Sequence, residues 1–189
     1  SFSFQSSKLL TSGEGGAITT NDRKLYDRLR LLRTHGITKD KLRCGKAPGP
    51  WYYEMQELGF NYRMTDIQAA LGSSQLEKLG AFVRRRREIV ERYNAAFKGH
   101  PLAAPLLERP GVRSAFHLYV LRVDFERLGK DRASLMAELA RGGVGTQVHY
   151  IPVSRQPFYR KEFFCNPGDT PAAEEYYGQA LSLPLYPKM

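Results

Sequence analysis

The sequence predicts an α/β chain that closes in a small α+β unit, and three observations predict it. The chain opens as strand, glycine turn, strand. A long stretch with apolar residues at 3–4 spacing begins at Thr65. Beyond it, short β-type runs alternate with helical ones. With 189 residues, 42% of them hydrophobic, the chain can bury a core as one domain or as two small ones.

Ser1 to Phe4 alternates small and aromatic residues, Gly13-Glu14-Gly15-Gly16 reads as a turn, and Ala17 to Thr20 suits a second strand. Asn21 or Asp22 can cap a helix running to about Thr34, with Leu25, Leu29 and Leu32 on one face. From Ile37 to Met64 the pattern is irregular, with Pro48-Gly49-Pro50 and an aromatic cluster at Trp51-Tyr52-Tyr53. Such a long loop usually carries function or covers a partner. Thr65 and Gln68 form a T-x-x-Q capping box. The helix it starts carries Leu76, Leu79, Val83, Val90, Tyr93 and Phe97 on one stripe, with Arg86 in the remaining slot. Pro101 to Pro110 reads as a linker. A strand is expected over 117–123, a helix over 132–140, a turn at Gly142-Gly143, a strand over 144–150 and a last helix over 171–180.

Composition narrows the function classes. No apolar run reaches the length of a membrane span. The N-terminus lacks a basic region followed by an apolar one, so no secretion signal is read there. The chain begins at Ser1, inside an apparent strand, and the start is read as a fragment boundary. Cys44 and Cys165 are too few for a disulfide framework and lack metal-ligand spacing, so no metal is expected and a reducing cytoplasm fits. The net charge of +10 favours anionic partners. The run Arg84-Arg85-Arg86-Arg87 encircles a helix rather than striping one side, and no nucleic-acid motif accompanies it, so nucleic acid is not expected as a partner.

The first twenty residues, S-F-S-F-Q-S-S-K-L-L-T-S-G-E-G-G-A-I-T-T, carry the chemistry. A lysine after a strand can be a solvated loop residue, but this one sits in the pattern S-F-x-x-x-K-x-x-x-x-G-E-G-G. That pattern resembles the lysine signature of the sugar-nucleotide aminotransferases of the DegT/StrS type, which are fold type I pyridoxal-phosphate (PLP) enzymes. The resemblance implies that the amine of Lys8 condenses with the aldehyde of PLP and later moves a proton between cofactor and substrate carbons. Ser3 falls where the family places a hydroxyl donor to the cofactor phosphate, though an ordinary strand serine would look the same. Gln5 stands where many relatives carry His. The glycines at 13, 15 and 16 permit positive φ and close backbone approach, and serve a tight turn as well as a ligand. Their spacing is not that of a nucleotide-hydrolysing phosphate loop.

Two further blocks extend the resemblance. Arg33-Thr34-His35-Gly36 and Gly59-Phe60-Asn61-Tyr62-Arg63-Met64 are similar to the family's R-x-H-G and G-x-N-x-R blocks. The resemblance gives Asn61 the part of an amide donor to the cofactor phosphate of the other subunit; a turn or cap residue is the plain alternative. For His35 a place at a helix C-terminus accounts for the residue equally well, and Arg63 could pair with Asp66. Gly143 to Val153 is similar to the small-domain strand and substrate loop, which makes Gln147, His149 and Tyr150 candidates for holding the sugar nucleotide. A polar strand end explains those three as well. Many relatives carry a second His where this chain has Ser154, and the terminal L-S-L-P-L-Y-P run reads as structural.

The resemblance implies the C-terminal part of a fold type I PLP transferase: the end of the large α/β domain over 1–80, then a connecting helix and small domain over 81–189. It implies a homodimer with shared sites and a ping-pong reaction with glutamate as amino donor and a nucleotide-linked keto-sugar as acceptor. The blocks around Arg33–Lys39 and Trp51–Glu54 are most similar to the group acting at carbon 4 of a UDP-4-keto-6-deoxy-N-acetylhexosamine, as in pseudaminic acid synthesis. The earlier part of relatives supplies the ring-stacking residue and the Asp on the pyridine nitrogen, so these residues alone are expected to be inactive. The alternative in another class is a family-like domain kept for binding or assembly without catalysis. Lys8 argues against the dehydrating relatives, which carry His in its place.

Overall fold

A computed structural model describes residues 1–40, 44 and 47–189, and the chain separates into two compact units, Ser1–Leu79 and Gly80–Met189.

The first unit opens with β1 (Phe2–Ser3) and β2 (Gly16–Ala17), antiparallel, with Phe2 opposite Ala17 and Ser3 opposite Gly16. Both strands are shorter than the sequence suggests, because residues 4–15 fold back on themselves. Phe4 N–H donates to the Gly15 carbonyl at 2.8 Å and Ser12 N–H to the Phe4 carbonyl at 2.9 Å. Helix α1 (Arg23–Leu32) starts at Asp22, whose carboxylate accepts from the backbone of Lys24 and Leu25, which satisfies two of the donors a helix start leaves open. Its buried residue is Leu31. The expected face of Leu25, Leu29 and Leu32 is not a core face: Leu25 is exposed, and the other two border an open groove.

Within the irregular stretch, β3 (Ile37–Thr38) pairs antiparallel with β4 (Glu54–Met55). Residues 41–43, 45 and 46 of that stretch lie outside the described residues. Thr65 and Gln68 form the capping box: Thr65 N–H donates to Gln68 Oε1 at 3.0 Å and Gln68 N–H to Thr65 Oγ1 at 3.3 Å. Helix α2 (Asp66–Ala96) follows and runs through Gly80 without interruption.

The second unit packs the latter part of α2 and a three-stranded antiparallel sheet ordered β5 (Ala103–Pro105), β6 (Tyr119–Val123), β7 (Ala180–Leu183). Ile89 and Val90 of α2 share a core with Tyr119, Leu121, Val123, Leu181 and Leu185. Two expectations are corrected here. The 101–110 segment is not simply a linker, since Ala103–Pro105 forms an edge strand, a position where proline's missing N–H is tolerated. Residues 144–150 do not form a strand: the segment touches the sheet through one antiparallel bridge, Gln147 to Ser182. Helices α3 (Phe125–Leu128), α4 (Arg132–Arg141), α5 (Pro157–Glu162) and α6 (Pro171–Gln179) complete the unit.

The arginine run is absorbed into this packing. Arg86 is buried and donates through Nη1 to the carbonyls of Phe116, His117 and Leu185 at 3.1, 3.2 and 2.8 Å. Burial lowers its pKa from the ordinary arginine value. Arg87 meets Glu108 with both nitrogens at 2.9 Å, and Arg85 pairs with Glu88 at 3.0 Å.

Candidate functional site

Lys8 sits at the end of a turn that follows β1, and the turn is organised by Gln5. The Gln5 carbonyl accepts from Lys8 N–H at 2.9 Å. Its side-chain oxygen accepts from Ser7 N–H at 3.0 Å and Ser7 Oγ at 2.6 Å, while its amide nitrogen donates to Ser6 Oγ at 3.0 Å. Gln5 N–H in turn donates to Ser3 Oγ at 3.4 Å. The Gln5 side chain therefore fastens the peptide that leads to the lysine. Lys8 is half-buried and Ser3 is exposed. The amine and the hydroxyl thus belong to one strand and its turn.

The glycines behind them are explained by packing. A Cβ on Gly16 would stand 2.6 Å from the Phe2 carbonyl oxygen, and one on Gly15, at φ +144°, would stand 2.6 Å from Met64 Cε. Between the tight-turn and ligand readings of this segment, the observed geometry accounts for the turn.

The second block is a clamp between two chain segments. Phe60 N–H donates to the Leu32 carbonyl at 2.7 Å, His35 N–H to the Phe60 carbonyl at 2.8 Å, and Tyr62 N–H to the Arg33 carbonyl at 2.9 Å. Thr34 and Asn61 face each other in an antiparallel bridge. Two glycines let the backbones approach this closely. A Cβ on Gly36, at φ +68°, would lie 1.8 Å from the Glu57 carbonyl oxygen, and one on Gly59 would lie 2.2 Å from Gly36 N. His35 itself adopts φ 58° just past the helix end. The clamp holds Asn61 exposed. Among the described residues, no ion pair joins Arg63 to Asp66. Arg63 instead lines a groove of about 830 Å³ together with Arg33, Phe2, Ile18, Phe60 and Met64. Ser3, Lys8 and Asn61 are not part of that lining, and among the described residues no hydrogen bond joins Asn61 to the other two.

In the second unit, Gln147 and Tyr150 are exposed and His149 is half-buried. Gln147 and Ser182 exchange backbone hydrogen bonds at 3.1 and 2.8 Å. His149 Nδ1 lies 2.8 Å from Ser182 Oγ, and the His149 carbonyl accepts from the Tyr176 hydroxyl at 3.1 Å. The rings of His149 and Tyr150 meet edge to face at 4.6 Å. The structure brings these three candidates to one segment pinned by β7 and α6. Ser154 is buried and its hydroxyl pairs with that of Thr170 at 3.0 Å. Sequence reasoning passed over Ser182 and Tyr176. The available signal was a lone serine inside an otherwise apolar strand, L-S-L.

The Lys8 turn, the glycine clamp that carries Asn61 and the His149–Tyr150 segment are the features of the described residues to set beside known proteins. The class is that of the PLP-dependent sugar aminotransferases, and the comparisons show it. The chain belongs to the DegT/DnrJ/EryC1/StrS aminotransferase family, whose model matches residues 1–189. It is 44% identical over 190 residues to the spore coat polysaccharide biosynthesis protein SpsC of Bacillus subtilis, covering 100% of this chain and 49% of that protein. It is 34% identical over 188 residues to the UDP-4-amino-4,6-dideoxy-N-acetyl-β-L-altrosamine transaminase of Campylobacter jejuni, covering 100% and 47%. Among solved structures, the sugar aminotransferase Spr1654 of Streptococcus pneumoniae in its PMP form superposes with a TM-score of 0.84 at 32% identity, over 100% of this chain and 46% of that one. The chain spans about half the length of the curated relatives it matches.

Proposed function

We propose that the full-length protein containing this chain transaminates a nucleotide-linked keto-sugar at carbon 4, taking the amino group from glutamate and working with PLP. Residues 1–79 belong to the cofactor-binding domain in this reading, and the remainder to the small domain. The observation that carries it is the Lys8 turn, in which one short segment sets an amine and the Ser3 hydroxyl on the same strand and its continuation. The donor set fits the cofactor. It offers a primary amine, a hydroxyl that accepts only one long hydrogen bond, and an exposed amide at Asn61. PLP, when bound, supplies a cationic ring that withdraws electrons from the carbon losing its proton.

The chain's own residues have separable parts. With PLP bound, Lys8 would be the residue that holds the cofactor through Nζ, and its amine would serve as the base that moves a proton at the reacting carbons. Ser3 and Asn61 donate to phosphate oxygens without adding charge, Asn61 across a homodimer interface. Gln147, His149 and Tyr150 orient the nucleotide sugar, His149 and Tyr150 through paired ring faces and edges. The name of the Campylobacter relative supports a UDP-linked 4-keto-6-deoxy-N-acetylhexosamine as acceptor, and the sequence fits a cytoplasmic enzyme. Lys8→Ala is expected to abolish transamination, a loss of at least about 10³-fold, while leaving the protein folded with its native oligomeric state by light scattering. Turnover retained in that variant contradicts the reading.

A further inference from the structure

The contacts of Ser182 go beyond those of a sheet residue. Alternation along β7 turns Leu181 and Leu183 toward the core, and sets Ser182 on the opposite face. Gln147 pairs with the free edge of β7 at Ser182, and Ser182 is 4% exposed. An apolar side chain would satisfy burial there equally well, yet the position carries a hydroxyl, and the hydroxyl reaches His149 Nδ1 at 2.8 Å. The Ser182 backbone holds Gln147 through two hydrogen bonds, and Tyr176 of α6 holds the His149 carbonyl. One residue therefore fixes both the peptide that carries the His149 segment and the plane of its ring.

We infer that Ser182 is a positioning residue for nucleotide-sugar binding: by engaging Nδ1 it sets the orientation of the His149 ring. A hydroxyl held on one ring nitrogen acts in this way because it limits rotation of the imidazole about its side-chain bonds, whichever partner donates. The inference rests on the reading of His149 as a substrate contact. Tyr176 supports the same segment from its backbone.

The test is a double-mutant cycle in the full-length enzyme loaded with PLP, measuring KM for the UDP-keto-sugar, KM for glutamate and kcat. Ser182→Ala is expected to raise the sugar KM about tenfold, the equivalent of about 1.4 kcal/mol. The glutamate KM and kcat should stay within about twofold, which a general loss of structure would not spare. In a His149→Ala background the same change should add less than about twofold, because its effect passes through the imidazole. Ser182→Cys keeps the volume and weakens the hydrogen bond. It should move the sugar KM in the same direction, so the cycle stands if one variant folds poorly. Two results overturn the inference while leaving His149 in place: an unchanged sugar KM in both Ser182 variants, or a Ser182→Ala effect of full size without the histidine. If His149→Ala itself leaves the sugar KM unchanged, the substrate-contact reading fails first and this inference falls with it.

Discussion

Gly36 and Gly59 show how much a single missing atom decides. Each sits where another backbone passes within a distance no Cβ could share, and Gly36 also holds a left-handed φ of +68°. Gly36→Ala is expected to cost about 2–4 kcal/mol through left-handed strain and overpacking against the Glu57 carbonyl, read as a lowered Tm of the full-length protein. A variant as stable as the parent would contradict the clamp. The sequence showed R-T-H-G and G-F-N-Y-R-M as two blocks but could not show that they zip together. Their contact is backbone to backbone across more than twenty intervening residues, and no side-chain pattern encodes it. Gln5 is the complementary case. No motif assigns it a role, and its bonds to Ser6 and Ser7 supply one, holding the turn before Lys8. The role proposed for Lys8 depends on a residue type at a fixed place in a motif, which is what a sequence records best.

At the scale of elements, local signals read well and long-range ones did not. The Thr65–Gln68 box and the Asp22 cap are decided within four residues, and both are present. The edge strand β5 was hidden by Pro105 and the nearby Pro101, and residues 144–150 are β-like in composition but make one bridge among the described residues. The long helix shows a similar split: Ile89 and Val90 are core, while Leu76 on the expected stripe is 60% exposed. Two side chains of α2 hold the second unit's connections. Arg87 and the Ser114 N–H hold the Glu108 carboxyl well below its ordinary 4.5, at about 2, with the arginine hydrogen bond as the larger cause. Because the folded value lies below the unfolded one, this contribution to stability is full above about pH 4.5 and disappears as pH falls toward 2. Glu108→Gln should flatten the acid limb of a Tm-against-pH curve in that window, and an unchanged limb would refute the pairing. Arg86→Met keeps much of the volume but leaves three carbonyls without their donor. It is expected to destabilise by about 2–4 kcal/mol in denaturant unfolding. A neutral result would show that those carbonyls find other partners.

Over the whole molecule, the two units differ in what they bury. The second encloses a core around Tyr119, Leu121 and Leu181, and burial raises the Tyr119 pKa to about 12. The first leaves Phe2, Ile18, Leu58, Phe60, Tyr62 and Ile67 exposed. Fold class was legible in the sequence because the opening hairpin, the long helix and the alternating tail are all set by local pattern. The clamp around Asn61 and the bridge that pins the His149 segment to β7 were not, since each joins residues far apart in the chain that local pattern cannot pair. The net charge of +10 likewise says little by itself, because three members of the arginine run are spent on internal carbonyls and carboxylates. The central claim is the covalent partnership of Lys8 with PLP. The direct measurement is to load the full-length protein with PLP, reduce it with borohydride, digest it and locate the added pyridoxyl mass. The mass is expected on the peptide that carries Lys8; an unmodified Lys8, with the mass on another lysine or on none, would contradict the account.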